Sequence, residues 1–173
     1  KTRAERDGDD FHLFTVNAAT HVHVSVSEDE VINAVNVLNG LAPAQIALTA
    51  HSNIWKGRVD PDYKCVAEKL WDWWMREPNR VGLPPKPFRD LQDYIDTVAK
   101  LKPVYVKRNG KPIVLTRYDS FQEYFNCGRA VGEDSEGREI SFVPEESDID
   151  LHSSCYWYNA RISRYYTVEN RAN

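Results

Sequence analysis

Hydrophobic and polar residues alternate along THVHVSV, residues 20–26, and this pattern is typical of a β-strand. Side chains on a strand alternate between its two faces, so residues two positions apart share a face. His21 and His23 therefore lie on one face, and the valines between and after them lie on the other. We expect the valine face to pack on the core. The histidine face must then be solvated, polar or bound to a metal.

The pattern after this strand predicts a helix. Ser27 and Glu30 have the spacing of a capping box at a helix start. Apolar residues then recur every three or four positions, as in an amphipathic helix: Val31, Ile32, Val35, Leu38 and Leu41. Pro43 is expected to interrupt this helix or to restart it as a second one. Another helix is predicted over residues 88–101, with one apolar face: Phe88, Leu91, Tyr94, Ile95 and Val98.

The second half of the chain returns to strand patterns. Asn109-Gly110 separates two β-prone runs and predicts a hairpin with a type I′ turn. Residues 120–125 predict a short helix, and the polar residues 132–150 predict a long surface loop. Strands on either side of a helical middle predict an α+β fold, with helices packed on one side of an antiparallel sheet. Residues 11–173 are predicted to form a single domain after a mobile, charged end at residues 1–10.

Composition narrows the classes of partner. The 173 residues are 42% hydrophobic with a net charge of −4, which disfavours nucleic acid or an anionic membrane as partner. We expect no apolar run of the roughly 18 residues that a membrane span needs. Cys65, Cys127 and Cys155 are widely spaced and form no C-x-x-C motif. A cytoplasmic protein with free thiols is the plain interpretation.

Charged residues of the last two strand patterns complete a candidate site. In TVENRA, Glu169 and Arg171 share a face, and Arg161 lies in the preceding run. If these strands align with the histidine strand, imidazole, carboxylate and guanidinium groups meet on one face. Such a set suits Mg²⁺ or Mn²⁺ carrying phosphate oxygens, with arginine binding phosphate or carboxylate. Taken alone, two histidines in an H-x-H pattern are more often surface or hydrogen-bonded imidazoles than metal ligands. A glutamate and an arginine in an E-x-R pattern are more often part of a cross-strand ion pair.

Three blocks of sequence carry a resemblance. HVHVSV, IALTAHSNIWKGR and WYNARISRYYTVENR occur in this order. They resemble the carboxylate–amine ligase family that includes the type 2 glutamate–cysteine ligases, over most of residues 17–173. The resemblance implies a catalytic sheet similar to that of glutamine synthetase. It also implies ATP-dependent amide formation through an acyl phosphate, with Mg²⁺ or Mn²⁺, from a glutamate-like carboxylate and an amine acceptor.

The resemblance also implies roles for single residues. His21 corresponds to a metal ligand beside the nucleotide phosphates, and Glu169 to its carboxylate co-ligand on the partner strand. Arg161 and Arg171 correspond to clamps for phosphate or carboxylate groups. His23 either supports the site or touches substrate.

Two further residues come from the same resemblance. Ser52 and Arg58 occupy the family's helix-to-loop segment, which borders the pocket, and they complete the predicted nucleotide-binding set with His23 and the two arginines. The sequence departs from the family pattern at Asn159, Ile162 and Asn53, where the family has Asp, Pro and Pro. These departures leave the identity of the amine open.

Nothing in residues 1–20 matches the G-x-E-x-E strand with which the family begins, and whose carboxylates hold its other metals. The chain is therefore interpreted as an internal portion of a larger catalytic domain. We expect the isolated chain to keep half of the metal site and to have little or no ligase activity.

Other functions stay open at this stage. One alternative is a non-catalytic binding or regulatory domain that keeps the fold. A second is a zinc-binding domain built on the H-x-H pair, although no third ligand has a persuasive spacing. Trp71, Trp73 and Trp74 favour a packed core or an interface over a platform for stacking a base. A homo-oligomer of this chain is a further open interpretation.

Overall fold

The computed structural model describes residues 19–55, 57–66, 69 and 79–172. These residues contain four helices: α1 Val31–Thr49, α2 Leu91–Ala99, α3 Phe121–Asn126 and α4 Ser147–Ser153. The strands, in chain order, are β1 Val22–Val24, β2 Ile54–Trp55, β3 Arg58–Val59, β4 Val81–Gly82, β5 Tyr105–Arg108, β6 Lys111–Val114, β7 Ala130–Glu133, β8 Glu139–Phe142, β9 Trp157–Tyr158, β10 Ala160–Ile162 and β11 Val168–Asn170. The predicted α+β class is confirmed. The mobile end at residues 1–10 and the tryptophans Trp71, Trp73 and Trp74 lie outside the described residues.

The chain divides into two compact units. The first comprises Lys1–Pro87, Tyr158–Ile162 and Tyr166–Asn173, and the second comprises Phe88–Trp157 and Ser163–Tyr165. Each unit contains its own antiparallel sheet and at least one helix. The single domain predicted for residues 11–173 stays a prediction.

The first unit contains a three-stranded antiparallel sheet with the strand order β1-β11-β10. Helix α1 packs against β10 and β11, so the predicted sheet with a helix on one side is confirmed here. β1 lies at the edge of this sheet, and Val22 and Val24 are 48% and 39% exposed. The expectation that these valines face the core was therefore wrong, because α1 covers the other two strands.

Helix α1 differs from its prediction at both its start and its middle. Glu30 accepts hydrogen bonds from the Ser27 hydroxyl (2.7 Å) and backbone N–H (3.4 Å), as in a capping box, but the regular helix begins later, at Val31. Pro43 lies inside the continuous helix, so neither the predicted break nor the restart occurs. Proline removes one backbone hydrogen bond, and the turn before it is held by the buried residues Asn39 and Ala42.

By length and composition, α1 is long and apolar enough to cross a membrane. The expectation that no apolar run reaches this length was therefore wrong for residues 31–49. The finding is weak evidence for a membrane span, because the core helix of a soluble protein passes the same test. In this structure Val35 and Ala42 of α1 are fully buried, and 22% of its apolar stretch is buried in all.

The second unit contains a four-stranded antiparallel sheet with the order β5-β6-β7-β8. Asn109 and Gly110 have φ angles of 51° and 74°, which a type I′ turn requires, so the predicted hairpin is confirmed. The predicted short helix is α3, and Ser120 accepts a hydrogen bond from the Glu123 N–H at its start. One apolar core lies beneath this sheet: Val106, Ile113, Leu115, Phe121, Tyr124, Ala130 and Phe142.

Two predictions for the second unit were wrong in part. Residues 132–150, predicted as a loop, contain the end of β7, all of β8 and part of α4. The Asp134 carboxylate makes the tight turn between the strands, because it accepts hydrogen bonds from the N–H groups of Glu136 and Arg138, both at 2.9 Å. In α2, Tyr94 and Val98 are buried as predicted, but Ile95 is 50% exposed.

Candidate functional site

The register of the first sheet brings the five predicted strand residues onto one face. His23 pairs with Glu169 across β1 and β11, and Glu169 pairs with Arg161 across β11 and β10. Directly opposed residues of an antiparallel pair lie on the same face. His21 and Arg171, two positions from His23 and Glu169, lie on that face as well. The predicted alignment of the strand faces is therefore confirmed.

Glu169 is the centre of a polar cluster on this face. Its Oε1 lies 2.8 Å from His21 Nδ1 and accepts a hydrogen bond from Arg171 Nη1 at 3.0 Å. Its Oε2 accepts a hydrogen bond from Arg161 Nε at 2.7 Å. The Glu169 side chain is 8% exposed, whereas the His21 side chain is 28% exposed. We call these four residues the Glu169 cluster; it extends across the sheet from the residue before β1 to β10.

The charge state of the cluster follows from its surroundings. Burial by itself raises the pKa of Glu169, but the hydrogen bond and charge of Arg161, together with Arg171 and His21, hold that pKa below its ordinary value. Burial lowers the pKa of His21, and the charge of Arg171 adds to this effect, against the opposing effect of Glu169. At neutral pH, Glu169 is therefore a carboxylate and His21 is a neutral imidazole. If Nε2 carries the proton, the lone pair of Nδ1 lies 2.8 Å from Glu169 Oε1, and the two atoms are close enough to bind one ion.

His23 lies beside the cluster on the exposed edge strand. Its Nδ1 is 2.8 Å from the Thr167 hydroxyl oxygen. This contact links β1 to the end of the connection that leads into β11. The position suits either of the roles predicted for His23, support of the site or contact with substrate.

Ser52 and Arg58 lie apart from the cluster in the described contacts. Ser52 forms an isolated bridge with Cys65, and its hydroxyl donates to Cys65 Sγ at 3.7 Å. Arg58 lies in β3, where it pairs with Trp55. Within the described part of the chain neither side chain contacts the Glu169 cluster. Their place beside the pocket stays a prediction.

Asn39 supports the site and was missed by the sequence analysis. Its Nδ2 donates to the Ala160 carbonyl at 2.9 Å, and its Oδ1 accepts from the Ala160 N–H at 2.9 Å. This amide fixes the backbone of β10 directly beside Arg161. The signal was present in the sequence, because Asn39 follows Val35 by four positions and so lies on the buried stripe of α1. A polar residue on a buried stripe needs a partner.

Backbone contacts hold the second arginine. The Arg171 N–H donates to the Asn159 carbonyl at 2.7 Å, and the Asn159 N–H donates to the Gly82 carbonyl at 2.8 Å. Asn159, where the family has Asp, is itself buried. The stretch that precedes β10 therefore positions Arg171 after the end of β11.

The cluster contains two donors for a divalent cation. Glu169 supplies a carboxylate oxygen, the kind of ligand that suits Mg²⁺ and Mn²⁺, and His21 supplies an imidazole nitrogen. Among the described residues, no group of three His, Cys, Asp or Glu side chains could hold a metal ion. Two donors fit an ion that keeps water and phosphate oxygens as its other ligands. They fit a closed, four-ligand zinc site less well.

Fold and site together define an α+β protein whose antiparallel sheet presents imidazole, carboxylate and guanidinium groups on one face. The family model for glutamate-cysteine ligase family 2 matches residues 7–171, nearly the whole chain. The chain therefore belongs to glutamate-cysteine ligase family 2, a family of ligases, and the resemblance seen in the sequence is confirmed. No curated protein matches the chain.

Proposed function

We propose that the chain forms part of the catalytic domain of an ATP-dependent carboxylate–amine ligase of the glutamate–cysteine ligase type. Its substrates are a glutamate-like carboxylate and an amine acceptor, which it joins in a γ-glutamyl-type amide bond. The observation that carries the proposal is the Glu169 cluster, which places a carboxylate, an imidazole and two guanidinium groups on one sheet face. Membership of a ligase family supports it.

The proposed reaction has two steps because a free carboxylate is a poor acyl donor. A carboxylate oxygen attacks the γ-phosphorus of ATP, the bond to ADP breaks, and an acyl phosphate forms. The amine nitrogen then attacks the acyl carbon, phosphate leaves, and the nitrogen loses a proton. ATP, carboxylate and amine thus give ADP, phosphate and amide. Most of the catalytic demand is positioning the groups and neutralising the charge on the phosphoryl oxygens.

The described residues divide this work. Arg161 and Arg171 supply guanidinium groups that match phosphate or carboxylate oxygens in bidentate geometry. His21 and Glu169 are the proposed ligands of Mg²⁺ or Mn²⁺. When bound, this ion neutralises charge on the nucleotide phosphates. His23 orients the site or substrate from the edge strand.

The remaining parts of the proposal concern partners and location. Ser52 and Arg58 are proposed to border the nucleotide pocket, and amino acids rather than nucleic acid or membrane are the proposed partners. A cytoplasmic location is proposed on the basis of three free cysteines: Cys65, Cys127 and Cys155. The net charge of −4 supports the choice of small molecules over nucleic acid.

The test is calorimetric titration of ATP with Mg²⁺ into the chain and into His21→Ala and Glu169→Ala variants. We expect binding that weakens at least about tenfold in both variants, which corresponds to about 1.4 kcal/mol. Asp150→Ala is the matched control, because Asp150 is an exposed carboxylate on α4. A chain that binds no ATP, or binds it equally well without Glu169, contradicts the proposal.

A further inference from the structure

Both oxygens of the Glu169 carboxylate already have a cationic partner. Arg161 Nε binds Oε2 at 2.7 Å, and Arg171 Nη1 binds Oε1 at 3.0 Å. Arg171 Nη1 also lies 3.3 Å from Nδ1 of His21, the other proposed metal ligand. Both side chains of the proposed metal site therefore contact guanidinium groups.

These contacts oppose the entry of a divalent cation on its own. Both arginines would repel a divalent cation near Glu169, and this repulsion is strong where the surroundings are partly buried. The side chains of Arg161 and Arg171 are only 13% and 15% exposed, so water screens their charges poorly. An anionic ligand has the opposite effect, because phosphate oxygens offer the guanidinium groups a second partner.

We propose that Arg161 and Arg171 gate the metal site: they hold Glu169 until a phosphate-bearing ligand engages them, and only then does Glu169 take a divalent cation. The inference rests on the proposed function, which makes His21 and Glu169 the metal ligands. It adds an order of binding, with the phosphate group first or together with the ion. By linkage, the ion must then strengthen binding of the phosphate ligand by the same factor.

The gate predicts that substitution of Arg161 strengthens Mn²⁺ binding, whereas substitution of an arginine with a purely structural role would not. Arg161→Gln removes the partner of Oε2, so Mn²⁺ alone should bind the variant at least about tenfold more tightly than the parent. A purely structural Arg161 would leave Mn²⁺ binding unchanged or weaker in the variant. Electron paramagnetic resonance of free Mn²⁺, with no nucleotide present, measures both affinities. Far-ultraviolet circular dichroism checks that the variant is folded.

Two control variants locate the effect. Arg164→Gln removes a positive charge three positions from Arg161, but Arg164 donates to the Tyr165 hydroxyl at 2.7 Å rather than to Glu169. It should leave Mn²⁺ binding unchanged. The double variant Arg161→Gln/Glu169→Gln should lose the affinity gained by Arg161→Gln. If the parent and Arg161→Gln bind Mn²⁺ equally, or if Arg164→Gln gives the same gain, the gate is wrong.

A second measurement needs no variant and so does not depend on the folding of Arg161→Gln. ADP is titrated into the parent chain twice, once with a chelator present and once with Mn²⁺ present. The affinity measured with Mn²⁺ is corrected for formation of the Mn²⁺–ADP complex in solution. The gate predicts at least about tenfold tighter ADP binding with Mn²⁺, and no saturable binding of Mn²⁺ alone in the same concentration range. Tight binding of Mn²⁺ alone would overturn the gate. Failure of ADP to bind under either condition would count against the proposed function, and the Mn²⁺ comparison of parent and Arg161→Gln would still decide the gate.

Discussion

Each of the two units contains a carboxylate held by arginine, but the two carboxylates differ in what surrounds them. In the second unit, Asp148 has no exposed surface. Arg108 Nη1 and Nη2 each donate to it at 2.7 Å, the Tyr124 hydroxyl donates at 2.6 Å, and the Glu145 N–H donates at 2.8 Å. We call these four residues the Asp148 cluster. Its carboxylate oxygens are fully used within the protein.

The Glu169 cluster of the first unit is more open. The carboxylate has three side-chain partners: His21 directly before β1, Arg161 in β10 and Arg171 directly after β11. His21 keeps 28% of its side-chain surface exposed. His21 is also a neutral donor, because burial and the charge of Arg171 lower its pKa. A neutral imidazole that reaches solvent beside a carboxylate can bind a ligand, whereas Asp148 is wholly buried and its oxygens accept only from groups of the protein.

An arginine–carboxylate pair does not by itself indicate a ligand site. Removal of one partner of a buried ion pair destabilises the fold, because the other partner is left as a buried, unpaired charge. Access to solvent and a neutral neighbouring donor distinguish the Glu169 cluster.

The largest effect is expected from Asp148→Ala. Arg108 and the Tyr124 hydroxyl lose their buried acceptor, so the free energy of unfolding should fall by about 3–5 kcal/mol. Urea unfolding measures the change, and Asp150→Ala, an exposed carboxylate on the same helix, is the control. If Asp148→Ala is no more destabilising than Asp150→Ala, the contrast between the two clusters is lost.

Asn39→Ala should have the next largest effect, this time in the first unit. The backbone N–H and carbonyl of Ala160 lose their partners in a buried position, which should cost about 2–3 kcal/mol. Because Arg161 follows Ala160 directly, ATP binding should weaken as well. Asn33→Ala, at an exposed position of the same helix, should change neither quantity. Normal ATP binding by a folded Asn39→Ala variant would show that Asn39 does not position the site.

The smallest expected effect is the pH dependence of the free energy of unfolding that Asp148 causes. Burial by itself raises the pKa of Asp148, but hydrogen bonds from Arg108 and Tyr124 outweigh it and hold that pKa below its ordinary value of 3.8. A carboxyl group with a lowered pKa stabilises the folded state above its unfolded pKa and loses this contribution as pH falls through its folded pKa. Between about pH 5 and about pH 2, stability should therefore fall more steeply in the parent than in Asp148→Asn. Parallel curves from urea unfolding would contradict this assignment.

Much of the Glu169 cluster could be predicted from the sequence because strand geometry is local. Alternation fixes which residues share a face, and this put His21 with His23 and Glu169 with Arg171. The register that aligns these faces came from the structure, because a slip of one residue would turn one strand's side chains to the other face. What alternation could not supply was the degree of burial, and Val22 and Val24 proved to be exposed at the sheet edge.

The Asp148 cluster could not be predicted in the same way. Arg108 and Asp148 are 40 residues apart, and Asp148 falls in a stretch whose polar composition predicts a loop. Strand β8 is solvated along most of its length, with Phe142 alone buried, so it lacks the apolar alternation that marks a strand. Pairings of this kind depend on tertiary packing and leave no local pattern. Asn39 is intermediate, since its place on the buried stripe was visible but its partner, Ala160, was not.

The central claim is that the Glu169 cluster binds the nucleotide, whereas the Asp148 cluster is structural. The most direct test is a titration of the nitrogen-15-labelled chain with ATP and Mg²⁺, followed by nuclear magnetic resonance of backbone amides and arginine Nε–H groups. We predict that the largest shifts occur in β1, β10 and β11 and at the Nε–H of Arg161 and Arg171, with Arg108 and α4 unchanged. Shifts concentrated at Arg108 and α4, or none in the three strands at saturating ATP, would contradict the claim.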